Sequence, residues 1–429
     1  IQYVILAAIV AIGIALRWVS ADFQVLLGAD PWWFYRHAQM IYDNNFQIPQ
    51  WDIQSHFPPG RPVNDQQGWP YTLAIFYAML HLPDLSLMKF TGFFVPVFAS
   101  LSAIPAYFVG RILTNRLGAL VTAFLAVITP RFISVSVAGY PDSDSVVVFY
   151  TFLAVLTTLY AINKADKLKL ESYRSYKEVI RYLPYLIPAL IAYWVFAVNW
   201  SYSWYIYFIF LLFIPLLVLF RFIEGKVFHR EGGYLSLLHQ KVRETKSIVI
   251  PIVLIGFFGQ ILSSFTSGWP YNTVTPDQQL IWGLIFLNES FVGSAIFISV
   301  FVSVGAILGA SFGRLKGLIA GIAVSSVIAW LLFSGGITGH RLLVFDSIAE
   351  LTPLDFTAPG GFASIMQRVG NLPALFGMIG LIGIFLFKLF TKREIRTTEF
   401  FALFWIIASL SLILAGERFS LLFGIAVAV

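Results

Sequence analysis

The 429 residues include no cysteine. That excludes disulfides, a thiolate nucleophile and any metal site built on cysteine. Charge is also scarce: Asp, Glu, Lys and Arg together make up 12% of the chain, about half of what a soluble domain carries. A phosphate-binding Gly-x-x-x-x-Gly-Lys loop and a Gly-x-Gly-x-x-Gly turn are both missing, which removes the common signatures of nucleotide-dependent enzymes. No repeat of fixed period, low-complexity tract or soluble domain interrupts the chain.

What is present is apolar. Hydrophobic residues account for 58% and the mean hydropathy is +0.80. They fall in runs of about 17 to 25 residues, each long enough to cross a bilayer. The runs are continuously apolar rather than alternating, so the spans are helices and not barrel strands. The expected fold is an all-α polytopic membrane protein of about 12 to 13 spans. The chain begins inside such a run, Ile1 to Leu16, with no basic region before it and no small-residue cleavage site after it, so it reads as a first span and not a signal peptide.

The net charge of +6 does not indicate a nucleic-acid partner, because the basic residues sit in loops between spans. Twenty of the 28 Lys and Arg residues fall in alternate loops, which marks those loops as cytoplasmic. These loops carry Arg111 and Arg116; Lys164 to Arg181; Arg221 to Lys246; Arg314 and Lys316; and Lys388 to Arg396. Spans are expected at roughly 1–18, 87–112, 117–131, 144–162, 183–199, 202–221, 247–264, 291–313, 317–334, 371–389 and 398–415, with another starting near 418. The apolar stretch Trp69 to Leu82 is too short to span and reads as interfacial or re-entrant. Two long outward loops remain, about 19–86 and 335–370, and loops of that length usually carry function.

Short acidic motifs collect on the outward side. Asp30 lies in Gly28-Ala29-Asp30-Pro31-Trp32, where it could equally cap a helix that begins at Pro31. Asp142 and Asp144 form an Asp-x-Asp pair in Tyr140-Pro141-Asp142-Ser143-Asp144, which an N-terminal cap for the next helix would also explain. Glu350 closes Ser347-Ile348-Ala349-Glu350, and alone it could be an ordinary solvated glutamate. Arg418, in Gly416-Glu417-Arg418-Phe419, either snorkels to the interface or offers a forked donor to a phosphate. Carboxylates converging from separate loops make a hard, all-oxygen site suited to Mn²⁺ or Mg²⁺. His37, His56, His81 and His340 lie at no metal-ligand spacing. Asn199-Trp200-Ser201 and Asn288-Glu289-Ser290 fit the N-glycosylation acceptor pattern, which short triplets also match by chance.

In this order and with this sidedness, the motifs resemble those of the catalytic subunit of oligosaccharyltransferase, in its archaeal and eukaryotic branches. The likeness spans nearly the whole chain. Gly28 to Arg36 is similar to that family's first acidic motif, Ala138 to Asp144 to its second, Ser347 to Glu350 to its loop motif, and Gly416 to Phe419 to a donor-phosphate segment. The resemblance implies the GT-C glycosyltransferase architecture and an enzyme that moves an oligosaccharide from a dolichyl (polyprenyl) phosphate or diphosphate carrier to the amide of Asn in Asn-x-Ser/Thr. It implies Asp30 and Glu350 as catalytic residues, Asp30, Asp142, Asp144 and Glu350 as ligands of Mn²⁺ or Mg²⁺, and Arg418 as the contact to the donor phosphate.

The partners so implied are the lipid-linked donor, a protein or peptide acceptor and membrane lipids, with accessory subunits if the chain is eukaryotic. The site would lie on the non-cytoplasmic face of an archaeal cell membrane or of the endoplasmic reticulum. The family's Trp-Trp-Asp-Tyr-Gly motif, which belongs to a C-terminal globular domain, is not in these residues, so residues 1–429 read as a transmembrane catalytic domain. A protein O-mannosyltransferase would share the first acidic motif without needing the Ser-Ile-Ala-Glu loop. A transporter would line a path through the bilayer with charge instead of gathering it at one face.

Overall fold

The computed structural model describes the chain apart from residues 50, 56, 64–67, 81–83, 168–175, 201–202, 228–232, 268–299, 301, 311–313, 334–360, 371–378, 381, 384, 389, 392–394 and 414–419. The described residues are almost entirely helical, with one two-residue antiparallel pairing of Trp51 with Pro62 and Asp52 with Arg61. The helices are α1 (Gln2–Arg17), α2 (Asp30–Asp43), α3 (Gly68–Leu80), α4 (Leu87–Ser100), α5 (Ala103–Leu113), α6 (Arg116–Ile128), α7 (Pro130–Ser134), α8 (Asp144–Lys167), α9 (Tyr176–Asn199), α10 (Trp204–Val227), α11 (Tyr234–Glu244) and α12 (Lys246–Ser267). Further helices cover Arg314–Phe333, Gly361–Val369, Thr397–Ile413 and Ser420–Val427.

Five of the described helical stretches are long and apolar enough to cross a membrane: Gln2–Ser20, Leu87–Leu113, Asp144–Ala165, Ile180–Asn199 and Tyr205–Lys226. Shorter apolar helices join them at Arg116–Ile128, Lys246–Gly256, Lys316–Val327 and Thr397–Leu410. Helices α8, α9 and α10 each have 24 residues, about 36 Å at 1.5 Å per residue, which exceeds the hydrocarbon thickness of about 30 Å. On α6, Leu117, Val121 and Phe124 repeat on one exposed face, the spacing of a lipid-facing stripe. The chain is a multi-pass membrane protein.

Local chemistry sets the ends of these helices. Ser86 caps α4 by accepting the Lys89 N–H at 3.3 Å, and Asn115 caps α6 by accepting the N–H groups of Leu117 and Gly118 at 2.9 and 3.0 Å. The span expected at 87–112 is two helices, broken at Leu101 and Ser102. Pro105 lacks the N–H that would otherwise reach back to the Leu101 carbonyl, so one helical hydrogen bond is lost at the break. Most of the stretch Trp69 to Leu82, read as too short to span, is α3, whose 13 residues pack against α2 and α4. Residues 335–370, read as a loop, end in the helix Gly361–Val369, which packs on α7 and on Ser420–Val427.

The two acidic motifs that fall on described residues lie at one end of the bundle. Asp144 opens α8, while Lys164 and Lys167 occupy its far end. Asp30 opens α2 just beyond the end of α1.

Candidate functional site

The residues from Ala138 to Pro141 lead into the Asp-x-Asp pair, and Ala138, Gly139 and Pro141 are each held by a different part of the fold. The Ala138 N–H donates to the Arg17 carbonyl at 2.9 Å, and the Ser20 hydroxyl donates to the Ala138 carbonyl at 2.6 Å. The Gly139 N–H donates to the Gly92 carbonyl of α4 at 3.1 Å. The Trp69 indole of α3 donates to the Pro141 carbonyl at 3.2 Å. A loop tied from α1, α3 and α4 at successive residues has little freedom left, as a preorganised site requires.

Arg17 anchors the approach to this loop. Its side chain is fully buried, with Nε donating to the Ser136 hydroxyl at 2.7 Å and Nη1 to the carbonyls of Val127 and Gly13 at 2.9 and 3.0 Å. The guanidinium also lies 4.5 Å from the centre of the Phe132 ring, within cation–π range. A buried guanidinium is tolerated because carbonyls, a hydroxyl and a ring face replace its hydration.

The first acidic motif is fastened to the second. The Leu27 N–H donates to the Gly139 carbonyl at 2.8 Å. A Cβ placed on Gly28 would come within 3.0 Å of Cε2 of the Tyr140 ring. Gly28 precedes Asp30 by two residues, as Tyr140 precedes Asp142, so the two carboxylate-bearing segments run from the same point of contact. Gly28 and Gly139 both have φ near +80°, a region that side chains with a Cβ rarely adopt.

The carboxylates differ in setting. Asp142 and Asp144 are buried at 7% and 5% exposure, whereas Asp30 is exposed. Asp142 accepts the backbone N–H of Asp144 at 3.1 Å and the Ser143 hydroxyl at 3.4 Å, and its own carbonyl accepts the Ser145 hydroxyl. It therefore closes an Asx turn just ahead of α8. Asp144 Oδ1 accepts the Trp200 indole N–H at 3.3 Å, from the turn after α9. Asp30 does not cap α2: Ala29 takes that place without a side-chain bond, and Asp30 is the first helical residue before Pro31. In the first turn its charge faces the positive end of the helix dipole.

Carboxylate oxygens on two adjoining segments are donors of the hard type that divalent cations prefer. Among the described residues no group of three or more His or acidic side chains is assembled tightly enough to hold a metal. Glu350 and Arg418 lie outside the described residues. His56, His81, His340 and Asn288 lie outside them as well, and so does Ser201. His37 is a packed residue, edge-on to Trp33 with ring centroids 4.0 Å apart, and its Nε2 is 3.9 Å from Asp52. Asn199 is buried at 5% exposure and its amide donates to the Val195 carbonyl at 2.8 Å, so this triplet offers no surface for a glycan.

Sequence reasoning missed Arg17, Trp69 and Trp200 as supports of the acidic loop. A signal for one of them was present, since an arginine closing an apolar span must find partners in the protein.

The profile of the family described as Oligosaccharyl transferase STT3, N-terminal, matches residues 1–429. The Arabidopsis thaliana dolichyl-diphosphooligosaccharide–protein glycosyltransferase subunit STT3B is 33% identical over 150 residues, which are 32% of this chain and 19% of that protein. The archaeal oligosaccharyltransferase of Archaeoglobus fulgidus, solved with an inhibitory peptide and a dolichol-phosphate, superposes with a TM-score of 0.68 at 21% identity. That match covers 100% of this chain and 49% of the solved one. A structure of the same protein with Zn and sulfate gives 0.63 at 20% identity, over 99% and 48%. The chain thus spans about half the length of the solved proteins it matches, in the GT-C arrangement of membrane helices.

Proposed function

The chain belongs to the oligosaccharyl transferase STT3 family, and from that premise we propose that it transfers an oligosaccharide from a dolichyl phosphate or diphosphate carrier to the side-chain amide of Asn in Asn-x-Ser/Thr. The observation that carries this reading is the fastening of the Asp30 segment to the Asp142–Asp144 segment at one end of the bundle. The Archaeoglobus fulgidus relative, solved with a peptide and with dolichol-phosphate, supports a lipid-linked donor and a peptide acceptor for this chain too.

The difficulty of the reaction lies in the nucleophile. An amide nitrogen shares its lone pair with the carbonyl, so attack requires that conjugation to weaken. Asp30, exposed at the mouth of the site, accepts a hydrogen bond from the acceptor amide, and Glu350 takes the second N–H. Holding both N–H groups out of the amide plane localises the lone pair. Asp142 and Asp144, with Asp30 and Glu350, would hold a divalent cation, for which we propose Mn²⁺ or Mg²⁺; the Zn in the relative's structure supports the coarser class. When bound, the ion supplies positive charge opposite the departing phosphate. Arg418 adds a planar fork of donors to the same phosphate.

The site faces away from the cytoplasm in this reading, because the basic residues gather at the other end of α8. The test is transfer of a fluorescent lipid-linked oligosaccharide to an Asn-x-Thr peptide by the full-length protein with Mn²⁺, with EDTA, and as Asp30→Ala. Transfer that needs the metal and falls about 10²- to 10³-fold in the variant is expected. Undiminished transfer by Asp30→Ala would remove that residue from the mechanism.

A further inference from the structure

A cavity of about 480 Å³ lies at the basic end of the bundle, between α8, α10, α11, α12 and the helix Thr397–Ile413. That volume is in the range of small-ligand sites, about 300 to 1,000 Å³. It reaches Leu159 and Asn163 of α8, 15 and 19 residues from Asp144, so the helix rise puts it roughly 22 to 28 Å from the acidic motifs. It is a second site, and nothing about it depends on the reading of the first.

Its lining is divided along the axis of α10. Phe210, Phe213 and Leu217 occupy successive turns of α10, and Phe401 packs against the two rings in the same wall. Phe401 stacks on Phe210, with centroids 4.9 Å apart. One turn nearer the end of α10 the lining becomes charged. Arg221 Nη1 donates to Glu224 at 2.7 Å and Nη2 to the Thr397 hydroxyl at 3.4 Å, and Lys241 pairs with Glu244 at 3.4 Å. The hydroxyls of Thr245, Ser247 and Thr398 complete this polar half.

An apolar chamber ending in charges and hydroxyls at a membrane boundary has the polarity of an amphiphile. The two cations are balanced by two carboxylates within the lining. A simple anion would have to approach Glu224 and Glu244 along with the two cations, whereas a headgroup with both a phosphate and an ammonium would match both signs. A guanidinium has five N–H donors and a lysine ammonium three, so each can keep its carboxylate and still donate to a phosphate oxygen.

We propose that this cavity binds a zwitterionic phospholipid from the leaflet beside the basic loops. Its phosphate sits at Arg221 and Lys241, its ammonium at Glu224 and Glu244, and one acyl chain lies along Phe210, Phe213 and Phe401.

The full-length protein, stripped of lipid in detergent, is titrated in native mass spectrometry with phosphatidylethanolamine, phosphatidylglycerol, diacylglycerol of the same chains, or inorganic phosphate with ethanolamine. Phosphatidylethanolamine should be retained most tightly, and the double variant Arg221→Gln/Lys241→Gln should lower that retention about tenfold. In parallel, wild-type protein is irradiated with a diazirine phosphatidylethanolamine, so the answer does not rest on the folding of a variant. Adducts should map to residues 210–225 or 397–401. Adducts confined to other surfaces, or equal retention of diacylglycerol, would overturn the proposal. Preference for phosphatidylglycerol would refute the zwitterionic headgroup, and displacement of the lipid by inorganic phosphate with ethanolamine would make this a free-anion site instead.

Discussion

The geometry of the acidic site depends on individual residues that carry no charge. Gly28 and Gly139 begin the stretches that lead to Asp30 and Asp142, and both take a left-handed backbone. A Cβ at Gly139 would lie 2.8 Å from Cγ of Phe23, and one at Gly28 would press on Tyr140. Gly139→Ala therefore combines backbone strain with a clash, a cost of about 1 to 3 kcal/mol. It should lower the unfolding temperature in detergent and reduce transfer more than a lipid-facing change such as Leu117→Ala. Equal behaviour of the two variants would show that the loop needs no glycine there. Asp52, outside the membrane spans, gives a second prediction at this scale. Burial alone would raise its carboxyl, but the Arg36 guanidinium and the backbone N–H groups of Gln54 and Ser55 outweigh that and hold it below the usual carboxylate range. Because the folded value is depressed, the stabilisation is present above the unfolded value of about 3.9 and disappears as pH falls through the folded one. Hydrogen exchange across residues 51–55, corrected for its intrinsic pH dependence, should therefore be better protected at pH 6 than at pH 3. Asp52→Asn should remove the difference.

Among the helices, those that a hydropathy profile sees least well are the ones that build the site. Helices α2 and α3 are short, and α3 matters because Trp69, fully buried, brings its N–H to Pro141. Length excluded α3 as a span, and nothing in its composition named its partner. The break between α4 and α5 was legible in principle at Pro105, yet the continuous apolar run concealed it. Glycines also let two helices meet backbone to backbone. A Cβ on Gly309, in the helical residues 302–310, would lie 2.0 Å from the Gly317 carbonyl oxygen, and one on Gly321 equally close to that of Gly305. Small residues four apart let two backbones touch where lipid provides no hydrophobic drive. Gly309→Leu should force this pair apart and lower the unfolding temperature by several degrees, while Val324→Leu, on an exposed face, should not. If Gly309→Leu left the melting curve unmoved, close packing of this pair would not be contributing to stability.

For the molecule as a whole, the testable quantity is sidedness. The 429 residues provide no background thiol, so single cysteines report topology cleanly. In sealed membrane vesicles of known orientation, a membrane-impermeant maleimide should label Asn44→Cys only from the non-cytoplasmic side and Gln240→Cys only from the cytoplasmic side. Both positions are exposed. Labelling of both from one side would refute the topology and with it the placement of the site. The amino-acid sequence by itself determined the solvent of this protein, the helical character of its spans, the alternation of its basic loops and the candidate carboxylates. Each of these follows from local composition, because a bilayer penalises unpaired backbone and charge residue by residue. Only the tertiary structure decided that Leu27 reaches Gly139, that Arg17 and Trp69 hold the loop before Asp142, and that a cavity opens among Arg221, Lys241 and Phe401. Those relations join residues up to more than a hundred positions apart, and packing and hydrogen-bond geometry create them only once the helices have found their neighbours.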